Sequence, residues 1–285
     1  MSLLLKHVSK ILITVLLGGL LGAALVRMAP GFGADEEELD SRLNSESITA
    51  LREQQKQENL GTFYWHFLVA GLGGDLGVSR TLQRPVTELL RERLPETAKS
   101  VAFGLLFGWT AGLSLAILVV VSRAWYMDLG ASLLSGALLC LPAAVLGLLF
   151  VVARAPARLV LGLIVFPKIF RYARNLLARS EALPHVLTAR AKGASGARVL
   201  FWHILPVAAP QLLALGGVSV SVALGAAIPV EAVCDLPGIG QLAWKAAMGR
   251  DLPLLVILTM LVTLITLIAN SAADMGGHAF RRAEP

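Results

Sequence analysis

Between Ser100 and Val121 the chain carries no charged side chain. About 20 apolar residues are enough to cross a bilayer as a helix. Inside hydrocarbon no water satisfies backbone amides and carbonyls, so only helices or closed barrels can span it. Barrel strands read as short alternating segments, and this chain has none. Composition agrees: 56% of residues are hydrophobic and 15% charged, against about 25% charged in an ordinary soluble domain. Mean hydropathy is +0.71. The expected class is an all-α polytopic membrane protein.

The apolar runs predict about six transmembrane helices, at 11–26, 97–121, 129–152, 159–177, 207–230 and 254–273. The first follows Lys6 and Lys10 and reads as a retained signal-anchor, since no small-residue cleavage pattern precedes Arg27. The second is expected to start after Pro95. It carries Gly104, Gly108 and Gly112, a spacing that lets a neighbouring helix approach closely. The third has Pro142 in its middle. The fourth is apolar over 159–166 and is extended to about 177 past Pro167, Lys168, Arg171 and Arg174, whose long stems are expected to reach the interface.

Between the first two spans lies a long polar stretch, 29–96. Its first half is acidic, with Asp35, Glu36, Glu37, Glu38, Asp40 and Glu46, and 47–59 reads as a surface helix. Three regions follow: 1–28 as N-terminal end and first span, 29–96 as an extracytoplasmic segment, and 97–285 as a core of five spans with a cytoplasmic loop at 178–206.

Charge sets the orientation. The connection between spans four and five carries Lys168, Arg171, Arg174, Arg179, Arg190, Lys192 and Arg198 against one acid, Glu181. The positive-inside rule places it in the cytoplasm. Both termini then fall on the same side, and Arg154 and Arg158 fall outside. The net charge of +6 and the pI near 9.7 are explained by these loops, so no nucleic-acid partner is expected. Cys140 and Cys234 have neither disulfide nor metal spacing, and neither metal nor cofactor is expected.

Spans two, three, five and six hold almost no ionisable group, whereas ion-coupled transport needs one. No Gly-x-x-x-x-Gly-Lys-Ser/Thr phosphate loop is present, and no catalytic constellation appears. If this chain moves something uphill, a partner supplies the energy. The cytoplasmic loop is the place to meet it. Pro184 suits the first position of a helix, Gly193 suits the left-handed residue after its end, and Ser195 suits the cap of the next. Two short helices meeting at Gly193 are expected. An amphipathic helix resting on anionic lipid has the same appearance.

Thr188-Ala189-Arg190-Ala191-Lys192-Gly193, with His203-Ile204-Leu205-Pro206 after it, resembles the EAA loop of ABC importer permeases of the dipeptide/oligopeptide/nickel family. Gly74-Asp75-Leu76-Gly77-Val78-Ser79 with Arg84-Pro85-Val86 resembles that family's segment before the second span. Glu231, Pro237-Gly238-Ile239-Gly240 and Arg250-Asp251-Leu252-Pro253 resemble its outer connection between spans five and six. The resemblance implies a type I importer fold in the bacterial inner membrane, with a cytoplasmic coupling helix between spans four and five. It implies that Ala189, Arg190, Lys192 and Gly193 lie at a joint with an ABC ATPase subunit. It implies that Glu231, Pro237, Gly238 and Gly240 shape the outer end of the pathway. Further implied partners are a second, homologous permease subunit and an extracytoplasmic solute-binding protein, with peptide as cargo ahead of nickel. Leu187 stands where the family's leading glutamate would be, and the 153–158 connection is shorter than is usual there. From the residues alone, two readings remain beside the permease: a scaffold or receptor subunit whose basic loop binds membrane lipid or another protein, and a membrane-embedded enzyme subunit.

Overall fold

A computed structural model describes residues 2–28 and 60–283. The acidic run and the expected surface helix at 47–59 lie outside the described residues. The described chain is helical: α1 (Ser2–Met28), α2 (Leu60–Leu72), α3 (Val86–Ser122), α4 (Trp125–Cys140), α5 (Ala143–Val152), α6 (Arg158–Glu181), α7 (Pro184–Ala191), α8 (Gly196–Val199), a π-helical turn (Leu200–Ile204), α9 (Leu205–Val233), α10 (Ile239–Met248) and α11 (Leu252–Ala283). The sole β pairing among the described residues is an isolated bridge, Val78 to Pro85.

Three continuous helical stretches are long and apolar enough to cross a membrane: Val86–Ser122, Gly196–Val233 and Leu252–Gly277. The Ser9–Leu25 part of α1 is a shorter apolar helix. α6 has the length of a span but carries cations along it.

Three boundaries differ from the sequence expectation. First, the helix that carries the second span starts before Pro95. Helix α3 begins at Val86 and runs through that proline. A proline deletes one backbone hydrogen bond, and the turns on either side of Pro95 hold the helix across the gap.

Second, the third span is not one helix. α4 and α5 meet at 97°. Proline has no amide hydrogen and its ring clashes with the preceding turn. The residue before it is driven out of the helical region, and Leu141 sits at φ −83°, ψ 121°.

Third, the helix that carries the fifth span starts well before residue 207. The helix is continuous from Gly196, with its ladder widened at Leu200–Ile204 so that the Leu205 amide donates to Leu200 O. The wider turn accommodates Pro206 without a break.

The chain divides into two compact units, Met1–Leu94 with Leu242–Leu264, and Pro95–Gln241 with Ile265–Pro285. In the first, Gly18, Gly19 and Gly22 of α1 lie against Thr263, Met260 and Thr259 of α11. A Cβ at Gly19 would come within 2.7 Å of the Tyr64 hydroxyl, which donates to Leu16 O at 2.7 Å. Ala23, Tyr64, Leu252 and Val256 form the buried centre there.

The second unit is organised around α6. Gly104, Gly108 and Gly112 of α3 meet Leu161, Val165 and Ile169 of α6 in step, so the two helices run parallel. A Cβ on Gly104 would lie 2.7 Å from Leu161 Cβ. The expected close helix contact is thus made within the chain. Phe166, Phe170, Ala173 and Leu177 continue the core towards the 178–206 loop, where Val186, Ala189, Val199 and Leu200 join it.

Candidate functional site

The loop between α6 and α9 forms as its local signals require. Leu183 is extended before Pro184, which occupies the first turn of α7. The Gly193 backbone is left-handed at φ +81°, and its amide donates to Arg190 O at 2.9 Å. Ser195 then caps α8, its hydroxyl oxygen accepting from the Arg198 amide. The His185 ring nitrogen Nε2 donates to His203 O at 3.3 Å, tying α7 to the π-helical turn.

Helical periodicity divides α7 into two faces. Val186 is fully buried and Ala189 is 8% exposed. Burying the valine alone contributes about 1.5–2 kcal/mol. His185, Leu187, Thr188, Ala191 and Lys192 face outward, with Leu187 57% exposed. The four residues carried over for the joint therefore separate. Lys192 and Gly193 are on the exposed side, while Ala189 and Arg190 point into the subunit.

Arg190 is engaged internally. Its guanidinium donates to Glu181 Oε1 at 2.5 Å. The same oxygen accepts from Arg123 at 2.7 and 3.1 Å. One carboxylate at the end of α6 thus joins the turn after α3 to α7. Glu181 was countable in the sequence as the lone acid among seven cations, and that isolation was the available signal. Its second partner, Arg123, lies 58 positions away and was not marked. Nearby, Arg174 Nε donates to Asp128 Oδ1 at 2.9 Å, bracing α4 against α6.

At the other end of α9, the second group of residues converges. Glu231 is 1% exposed. Its Oε2 accepts from the Gly240 amide at 2.7 Å, and the Gln241 amide and Thr97 hydroxyl also bond the carboxyl. The Thr97 oxygen in turn accepts from the Ile239 amide at 2.7 Å. Among the described residues Oε1 has no hydrogen-bond partner, so the carboxyl is held along one edge.

This arrangement explains the two glycines. A Cβ on Gly238 would overlap Glu231 Oε2 and the Thr97 hydroxyl, and one on Gly240 would lie 2.7 Å from Ala227 O and from Ile228 Cα. Neither glycine has a positive φ. They are required for close approach, and Pro237 delivers the chain into that cradle. Glu231, Pro237, Gly238 and Gly240 are therefore one latch, to which Thr97 is added.

A comparable contact lies in the first unit. Asp251, fully buried, accepts from Ser79 Oγ at 2.5 Å and from the Thr81 amide at 3.1 Å. Its other oxygen accepts from the Leu254 amide at 3.3 Å, at the start of α11. The stretch 74–79 and the stretch 250–253, far apart in the sequence, are physically joined here.

The 104–282 portion of the chain matches the family model described as binding-protein-dependent transport system inner membrane component. Across 96% of both chains it is 28% identical to the glutathione transport system permease protein GsiC of Salmonella typhimurium. Across 88% of both it is 29% identical to a putative peptide transport system permease protein of Brucella abortus. Such a family supplies a membrane permease, not a catalyst, and works with an ATPase and a solute-binding protein made as separate subunits. The chain belongs to the binding-protein-dependent transport system inner membrane component family, as a permease subunit of a bacterial ABC importer of the inner membrane.

Proposed function

We propose that this chain forms half of a peptide pathway and that α7 is its coupling helix. Peptide cargo is supported by the glutathione and peptide transport permeases it resembles. A second, similar permease supplies the other half. The observation that carries the coupling role is the division of α7. Val186 and Ala189 anchor one side in the core, and His185, Leu187, Thr188 and Lys192 stand outward for a groove on the ATPase. Leu187, in place of an acid, makes that contact apolar at its centre. Gly193 lets the chain turn back at once, and Arg190 acts from inside the subunit by fixing α7 to Glu181.

Loop 178–206 and both termini lie in the cytoplasm on this reading, as the excess of Lys and Arg requires. The latch at Glu231 then lies at the outer end of α9, beside the exit of the binding protein. Phe201 and Trp202, 62% and 75% exposed, suit the lipid interface where aromatic rings gather.

The test is ATP-driven uptake by the assembled importer in proteoliposomes, with glutathione and short peptides as cargo. Cross-linking of Leu187→Cys to the ATPase is followed in parallel. Accumulation of peptide together with a specific cross-link supports the reading. Absence of the cross-link in every nucleotide state sinks the coupling role, and absence of peptide uptake sinks the cargo.

A further inference from the structure

Helix α6 carries exposed cations alongside the uncharged stretch of α3. Its buried side is apolar: Leu161, Val165, Ile169, Phe170, Ala173 and Leu177. Its exposed side holds Lys168, Arg171, Asn175 and Arg179, spaced as one stripe along a helix. Among the described residues neither Lys168 nor Arg171 has an ion-pair partner.

The glycine contacts with α3 calibrate the depth. Gly104 meets Leu161, Gly108 meets Val165 and Gly112 meets Ile169. Continuing that step puts Lys168 level with Ala111 and Arg171 level with Ser114. Both levels fall inside the uncharged run that ends at Val121. At 1.5 Å per residue, Lys168 is about 15 Å and Arg171 about 10 Å short of that end. With the second span ending at Val121, the four-carbon stem of Lys168 is too short to bridge the longer distance. A cation at such depth faces protein or a water-filled cavity.

We propose that the Lys168–Arg171 face of α6 lines the translocation pathway and selects cargo that carries a carboxylate. The proposal rests on the reading of this chain as half of a peptide pathway. Charge complementarity names the occupant: an unpaired cationic stripe in a low-dielectric wall concentrates anions. A peptide with an acidic side chain, or with a free carboxyl terminus held away from its amine, meets that requirement. A strongly cationic peptide does not.

Two measurements on the complete importer separate the possibilities. In the first, uptake of Ala-Glu-Ala is compared with uptake of Ala-Gln-Ala. The expected result is that Lys168→Gln with Arg171→Gln lowers the ratio of acidic to neutral uptake by about tenfold, and that Lys168→Arg preserves it. A purely structural role would depress both peptides alike, so an unchanged ratio overturns the proposal.

In the second, Lys168→Cys is placed in a Cys140→Ser, Cys234→Ser background and treated with impermeant anionic and cationic thiosulfonates. The expected result is labelling during turnover, faster with the anionic reagent. No labelling in any nucleotide state means that lipid or the partner permease covers this face, which overturns the proposal. If no peptide of any charge is taken up, the peptide reading fails by itself, and the labelling result still decides whether this face meets water.

Discussion

Gly238→Ala and Gly193→Ala exchange the same atoms at two glycines that are needed for opposite reasons. At Gly238 the backbone does not have a positive φ, so alanine is not strained there. The new methyl would occupy the space of Glu231 Oε2 and the Thr97 hydroxyl. The carboxyl must swing away, giving up the 2.7 Å bond from the Gly240 amide and leaving buried donors unpaired. Each such loss costs about 1–3 kcal/mol, and forcing a methyl into a packed site adds about 1–3 kcal/mol. A total of about 2–6 kcal/mol follows, which lowers the midpoint of thermal unfolding by on the order of 10 °C.

At Gly193 the surroundings are open, with nothing within 4 Å of the added carbon. The cost there is confined to holding alanine in the left-handed region, about 1–2 kcal/mol. The assay is thermal unfolding of the purified permease in detergent, with the double variant Gly238→Ala, Glu231→Ala included. Removing the carboxyl clears the space, so the double variant should be less damaged than the sum of the singles, by about 1–3 kcal/mol. Additive effects, or a Gly238→Ala midpoint no lower than that of Gly193→Ala, would refute the cradle.

Three other outcomes are expected. Glu181→Gln weakens the hold on both Arg123 and Arg190, so ATP hydrolysis should continue while peptide moved per ATP falls severalfold in proteoliposomes; an unchanged ratio removes Glu181 from coupling. Arg190→Glu sets two carboxylates against each other, and co-purification with the ATPase should weaken at low and high salt alike, because the damaged contact is within the subunit; recovery at high salt would instead place Arg190 at the joint. Asp251→Ala strips Ser79 and Thr81 of their acceptor and α11 of its first-turn partner, costing about 2–4 kcal/mol, with Ser79→Ala costing about 1 kcal/mol; equal unfolding midpoints for the two variants would show that Asp251 is not the hub.

Much of the fold was legible because hydrophobic runs and capping residues act over a few positions. Pro184, Gly193 and Ser195 fixed the ends of α7 and α8 by chemistry that needs no distant neighbour. Pro142 was visible too, but its consequence was not. A proline says that a hydrogen bond is lost, and the packing on either side decides whether the helix continues, as through Pro95, or turns by 97°, as after Leu141. The motif residues of the candidate site were recognisable as a set, yet the direction each side chain takes was hidden. Arg190 reads as a docking cation until the helix is placed on the core and its guanidinium turns to Glu181.

The sequence by itself determined that this chain crosses a membrane as helices, where its polar loop turns, and which stretches resemble an importer permease. The tertiary structure decided which groups touch. Ser79 reaches Asp251 across 172 positions and Ile239 reaches Thr97 across 142. The lone acid of the basic loop becomes a shared acceptor, and the glycines after Pro237 become the walls of a carboxyl cradle. The physical reason is range. Helix formation and capping are settled within a turn or two, whereas a buried polar group is stable only beside a partner that the folded chain brings to it.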